Sequence, residues 1–298
     1  MQTQRTFIDD LKHRYKHGGA HMKLIFINVI LFLLIRVALV FGKLLEDDAS
    51  TEIVLQHIFG LFTRPSEFIT HPWGIFTSMF AHFGVMHLLF NMIFLYFAGK
   101  HFEQLFGASR LIYTYLMAGI AGGLLEFLAH LAFPGLQDVV VMGASGSIMG
   151  IFVAIAFYQP NLQISFFGFF KLRIIWIAVA YIVLDVINLT TNDGTAHFAH
   201  LGGAIIGALS IQNIHSSSNI ITVSQRMTEF IRQMFSRHKR PKLKVVRGEQ
   251  VRKMTDEEYN ENAKERQKET DRILDKISKS GYDSLNKREK DFLFNQSK

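Results

Sequence analysis

A serine held between glycines, Gly143-Ala144-Ser145-Gly146, opens an almost uncharged run over residues 139–158. A serine hydroxyl becomes a nucleophile only when a base takes its proton, and an apolar run offers no water to do so. Two further motifs supply candidates, each in its own apolar segment: His82-(x4)-His87-(x3)-Asn91 before the serine and Ala199-His200-Leu201-Gly202-Gly203 after it. Neutral imidazole suits the role of base near pH 7. His197 and His200 compete for it, being three apart and on about the same helix face. His200 is the better candidate, since it lies one turn ahead of Gly203 and Gly207, on the face built for close packing.

Attack on an amide also creates an oxyanion, which requires donors placed in advance. His87 and Asn91 stand at i and i+4, share a helix face and both carry N–H donors, and the backbone N–H of Ser145 at a helix start is a third. Each element has a plainer reading. Gly-x-Ser-Gly also serves as a packing motif, and histidines in spans also tie polar interiors together; His82 fits that supporting role, joining an outer loop to the mouth of a helix. The case for chemistry is the conjunction of three uncommon motifs at the same ends of three helices.

The segments that would carry these motifs follow from composition. The chain has 298 residues, of which 49% are hydrophobic, with 28 Phe, and its mean hydropathy is positive. Apolar blocks long enough for a bilayer lie at 24–41, 83–99, 111–133, 139–158, 172–189 and 196–214, so the expected class is an all-α, multi-pass membrane protein with six transmembrane helices. Absence of Cys removes disulfide frameworks and thiolate chemistry. The first 23 residues are polar and basic and show no small-residue cleavage site after a short apolar core, which reads as a retained first helix with its N-terminus inside.

Lys100, Arg110, Lys171, Arg173 and a basic tail mark one set of connections as cytoplasmic, which puts both termini in the cytoplasm. The opposite connections carry only Lys43 and Arg64. The first of these is long, and its aromatic stretch over 53–83 predicts structure lying in the outer leaflet, with Trp73 at headgroup level. Gly146-xxx-Gly150 and Gly203-xxx-Gly207 predict that the fourth and sixth helices touch, bringing Ser145 near His200, and Gly119-xxx-Gly123 offers another close contact. Asp185 in the fifth segment offers a third triad member, but it precedes an outer connection on a different helix and reads instead as a structural pairing group. Glu126 and His130, four apart in the third, read as packing polarity that can pair on one face, and Arg36 as a side chain reaching water.

The net charge is +7, and 20 of the 32 Lys and Arg follow His215. That excess suits anionic membrane lipids as partners, and no nucleic-acid-binding signature accompanies it. The expected division is therefore an N-terminal cytoplasmic segment at 1–23, a membrane domain at 24–214 and a charged tail at 215–298. Within the tail, a basic cluster at 237–247 precedes a helix at 255–279 with Ile273, Leu274 and Ile277 as its apolar stripe, ended by Ser280-Gly281. Leu285, Phe292 and Leu293 predict a second short helix.

Over 24–214 the chain resembles the rhomboid family of intramembrane serine proteases. The resemblance rests on His87 and Asn91, on Gly143 to Gly146, on Ala199, His200, Gly203 and Gly207, and on Gly99-Lys100-His101-Phe102-Glu103 followed by Gly107 and Arg110. It implies a six-helix bundle with a long interfacial first outer loop, a catalytic dyad of Ser145 and His200 with no required acid, and an oxyanion site of His87, Asn91 and the Ser145 amide, with His82, Gly143, Gly146 and His197 in support. It implies transmembrane protein substrates, a cell (cytoplasmic or inner) membrane location, and no metal or cofactor. Two departures stand out: Trp73 is followed by Gly74 where the family often has Trp-Arg, and Met149 occupies a position where an aromatic commonly packs on the histidine. The rival readings are a catalytically silent relative that binds transmembrane helices, and a metal protein ligated by His82, His87, His197 and His200.

Overall fold

The computed structural model describes residues 6–166, 170–191, 193–235 and 256–296. Its chain divides into two units, Met1–Ser236 and Arg237–Lys298.

The first unit begins with a polar helix, α1 (Phe7–His17), and a 26-residue apolar helix, α2 (Gly19–Leu44). No side chain of its own N-cap residue satisfies the first amides of α2. Glu103 does so from a distance, accepting from the N–H groups of Ala20 and His21 at 2.8 and 3.1 Å and lying 2.6 Å from His21 Nδ1. A carboxylate there fills the orphan donors and meets the positive end of the helix dipole.

The long connection that follows is ordered. It contains α3 (Asp48–Phe59), β1 (Leu61–Phe62), α4 (Pro65–Thr70), α5 (Gly74–Thr77) and a 3-10 turn at Ser78–Phe80. Strand β1 pairs antiparallel with β2 (Val140–Val141), placing Leu61 opposite Val141 and Phe62 opposite Val140. Thr63 and Val139 extend the ladder, and Arg64 Nε reaches Asp138 at 2.9 Å. The loop is thereby fastened to the residues just ahead of Ser145. Trp73, half exposed, donates its indole N–H to His57 O at 3.2 Å.

Next come α6 (Val85–Phe94), which continues through a π turn into α7 (Lys100–Phe106), and α8 (Ala108–Ala132). Gly107, at φ +85°, makes the corner between the last two, a conformation that favours glycine. Helix α9 (Ser145–Tyr158) leads into a hairpin of β3 (Gln163–Phe166) and β4 (Phe170–Arg173) and then into α10 (Ile174–Ile187), α11 (His197–Ile211) and α12 (Ile220–Phe235). Each of the six predicted apolar segments thus holds an apolar helix. The fourth starts at Ser145 and not at 139, because 139–141 are taken up by pairing with the outer loop.

By length and composition, α2 and α8 can each cross a membrane, and a third crossing arises if Gly74–Phe80 and Val85–Phe106, bent by 87°, count as one. Helices α9, α10 and α11 are shorter, at 14, 14 and 15 residues. Fourteen residues rise about 21 Å, less than the roughly 30 Å of a hydrocarbon core.

Helix α9 is buried almost all round and forms the centre of the unit, with α8 and α11 against it. Small residues allow this. A Cβ on Gly203 would overlap Gly146 O, and one on Gly207 would overlap Gly150 O. Helix α8 meets α11 through Gly122 and Gly202, whereas the predicted pair Gly119 and Gly123 faces other partners, Ser147 with Met79 and Leu61 respectively. At the other end of the unit Arg110 donates to Ser210 O, Ile214 O and Thr222 Oγ1, tying the start of α12 down. Residues 215–235 accordingly belong with the first unit.

The second unit holds α13 (Asp256–Ser280), a 3-10 turn at Tyr282–Ser284 and α14 (Lys287–Gln296). Ile273 and Leu285 are buried in it, while Leu274 is exposed. Gly281, at φ +75°, ends α13 where the sequence predicts the stop. The predicted basic cluster at 237–247 lies outside the described residues.

Candidate active site

Ser145 is the first residue of α9, and the turn before it is held from three sides. Gly143 sits at φ +134°, and a Cβ there would come within 2.7 Å of the His87 ring. Its N–H donates to Ser78 O at 2.9 Å. The next amide, Ala144 N–H, donates to His82 Nε2 at 3.3 Å, and that imidazole is fully buried. This bond links the end of the outer loop to the turn before α9. Only glycine fits position 143 without strain, for both backbone and space.

From α6, His87 and Asn91 face the same region. The His87 ring packs edge-on against His82 at 5.0 Å between centroids. Asn91 is buried and donates one amide hydrogen to His87 O at 2.8 Å. An Asn amide has two N–H groups, so a second donor remains to be used.

From α11, His200 is buried at 4% exposure, with its Nδ1 3.0 Å from Asp185 Oδ1. The same oxygen lies 2.7 Å from His197 Nδ1. Asp185, itself buried, stands on the last full turn of α10, and the short connection after it returns the chain to His197. The pairing expected of Asp185 is present, and its partners are the two candidate bases. A ring contact on His200 comes from Tyr181 of α10, edge-on at 5.8 Å. Met149, the position the sequence singles out as a departure, is buried in the core cluster and also lines the cavity that holds Ser145 and His200.

Glu126 of α8 is the other site neighbour that the sequence left as packing polarity. Its Oε2 accepts from Ala199 N–H at 2.9 Å, in the first turn of α11, and its Oε1 lies 3.5 Å from His130 Nδ1. A carboxylate at that end caps and orients the helix bearing His200. Gly146 stands on the facing helix, where a Cβ would come within 3.0 Å of Ala199 O. The α9–α11 backbones are thus in contact where Ser145 and His200 begin their helices.

Ser145, His200, His87 and Asn91 all line one cavity of about 1080 Å³. No hydrogen bond joins the Ser145 and His200 side chains among the described residues; with Nδ1 of His200 taken by Asp185, the nitrogen left for the serine is Nε2. Catalytic hydrogen bonds often tighten only with substrate in place. As for metals, Asp185, His197 and His200 bring ligand-type atoms within 4.8 Å of one another. That set differs from the four-histidine set of the rival metal reading. Its two imidazole nitrogens already lie at hydrogen-bond distance from the carboxylate oxygen.

Residues 70–216 match the family model described as the rhomboid domain. The chain belongs to the rhomboid family. Its relatives include RHOMBOID-like protein 12, mitochondrial, of Arabidopsis thaliana, 31% identical over 46% of this chain and 44% of that protein. Rhomboid protease GluP of Bacillus subtilis is 29% identical over 45% of this chain and 24% of its own length. Rhomboid protease AarA of Providencia stuartii is 27% identical over 70% and 77%. The chain spans less than half the length of the plant relative and of GluP. Residues 253–298 match a second model, a family of unknown function (DUF6576), so the tail that follows the rhomboid domain is itself a recurrent module. This rhomboid is a membrane protein, in keeping with its long apolar helices.

Proposed function

We propose that this rhomboid is an intramembrane serine endopeptidase that cuts transmembrane proteins in or near their spans. The observation that carries the reading is the shared cavity, in which Ser145 and His200 meet two candidate oxyanion donors, His87 and Asn91. In the reaction Ser145 Oγ attacks the scissile carbonyl carbon while its proton passes to His200 Nε2. The carbonyl oxygen becomes an oxyanion held by His87, Asn91 and the Ser145 N–H. Collapse breaks the C–N bond, and His200 returns the proton to the leaving amine; water then repeats the sequence on the acyl-enzyme. Chemistry of this kind needs no metal or cofactor.

A six-spanning arrangement goes with it, built on α2, α6, α8, α9, α10 and α11 with flanking residues completing the shorter crossings. Lys100, Arg110, Lys171 and Arg173 support cytoplasmic termini in a cell membrane, and the cavity then opens on the opposite face. The similarity to GluP and AarA, both bacterial rhomboid proteases by name, supports the activity and the setting.

The test is covalent labelling of the purified full chain by a serine-directed fluorophosphonate, paired with cleavage of a transmembrane reporter in proteoliposomes. Labelling and cleavage are expected to disappear in Ser145→Ala and His200→Ala and to withstand strong chelators. Equal labelling in the variants rejects the dyad, and a wild-type chain that binds the reporter without cutting it favours a silent relative.

A further inference from the structure

We propose that Asp185 is a positioning residue for the base: it holds His200 as the Nδ1–H tautomer, with Nε2 bare and directed to the serine. The proposal rests on the protease reading and adds a third member to the dyad that family resemblance implies. An uncharged imidazole carries one proton, and a carboxylate can only accept. With Asp185 Oδ1 3.0 Å from Nδ1 of His200, that proton is kept on Nδ1 and the lone pair needed to receive the Ser145 proton is kept on Nε2.

His197 completes the device. Its Nδ1 lies 2.7 Å from the same Asp185 oxygen, so the carboxylate is gripped by one imidazole while it orients the other. The far nitrogen of His197 lies 3.4 Å from Asp193, an exposed residue of the connection between α10 and α11. A purely structural role would need only the His197 bond, which already fastens the end of α10 to the start of α11. The second bond goes to His200, the better-placed candidate base, which lines the cavity with Ser145 as His197 does. Asp185 Oδ2 is buried and has no hydrogen-bond partner among the described residues, so this acid is kept under cover at some cost.

The decisive variant is Asp185→Asn, which preserves shape but lets an amide N–H face His200 Nδ1 and favour the unproductive tautomer. Reporter cleavage in proteoliposomes is expected to lose about 10²–10⁴-fold in kcat with KM changed less than about twofold, and the thermal midpoint should stay near that of the wild type. A kcat within about threefold of wild type overturns the proposal, as does a loss explained by the unfolded fraction alone. Should the variant fail to fold, the wild-type chain decides: ¹⁵N NMR of labelled histidines must report His200 as Nδ1–H at neutral pH, and an Nε2–H signal overturns the assignment. Wild-type cleavage that Ser145→Ala abolishes, with Asp185→Asn unimpaired, removes the positioning role and leaves the protease. A wild-type chain that cuts nothing removes both.

Discussion

Asn91 illustrates how much one side chain can be asked to do. It spends one amide hydrogen on its own helix, at His87 O, and it lines the cavity with a second amide N–H to offer. A donor aimed at developing negative charge contributes more in the transition state than in the ground state. Asn91→Ala is therefore expected to lower kcat by about 10²–10³-fold, with little change in KM or in the circular dichroism of the folded chain. Steady-state cleavage of the reporter reads this, and an unchanged rate removes Asn91 from the oxyanion site. Gly143 works at the same scale by having no side chain, since any Cβ would press on the His87 ring.

Among elements, the contact between α9 and α11 does most to set the geometry. Gly203 and Gly207 lie directly on carbonyl oxygens of Gly146 and Gly150, and backbone cannot retreat as a flexible side chain can. Gly203→Ala is expected to push the helices apart, destabilising the chain by about 1–3 kcal/mol and abolishing cleavage by widening the gap between Ser145 and His200. Gly135→Ala is the control, because a Cβ there meets nothing within 4 Å. Thermal unfolding in detergent together with the cleavage rate checks both; equal behaviour of the two variants would deny the close-packed seam its role. The pairing of β1 with β2, just ahead of α9, and the Glu126 contact to Ala199 of α11 hold the two helix starts that meet at this seam.

The molecule as a whole shows two regimes of burial. In the first unit large apolar side chains stand exposed along α2, α6 and α10, among them Leu34, Phe90, Phe94, Trp176 and Ile187. Water would oppose such a surface, and lipid accommodates it. The second unit is polar and relies on charge. Glu289 accepts from Lys276 Nζ at 2.9 and 3.1 Å and from Asn286 N–H at 2.9 Å. The Lys276 bond, with the Asn286 amide behind it, holds the Glu289 carboxyl below its ordinary value of 4.5. A carboxyl with a depressed folded value stabilises the fold fully above its unfolded value and loses that contribution as pH falls through the folded one. Amide hydrogen exchange of α14 in the full chain should thus accelerate, beyond the intrinsic pH effect, as pH drops below about 4.5. Glu289→Gln should remove that dependence, and its persistence in the variant would assign it to another group.

What the sequence determined by itself was local. Helix periodicity put His87 with Asn91 and His200 with Gly203, apolar blocks located six helices, and Ser280-Gly281 ended α13, all because these depend on residues within a few positions of one another. The tertiary structure decided what closes over distance. Asp185 reaches His200 because α10 and α11 are set side by side, Glu126 reaches α11 only because Gly122 and Gly202 let α8 approach, and 139–141 become strand because the outer loop folds back onto them. An acid in an apolar segment signals that some partner exists, since burying it alone is costly. Spacing along the chain cannot name that partner, because the choice is made by helix packing in three dimensions.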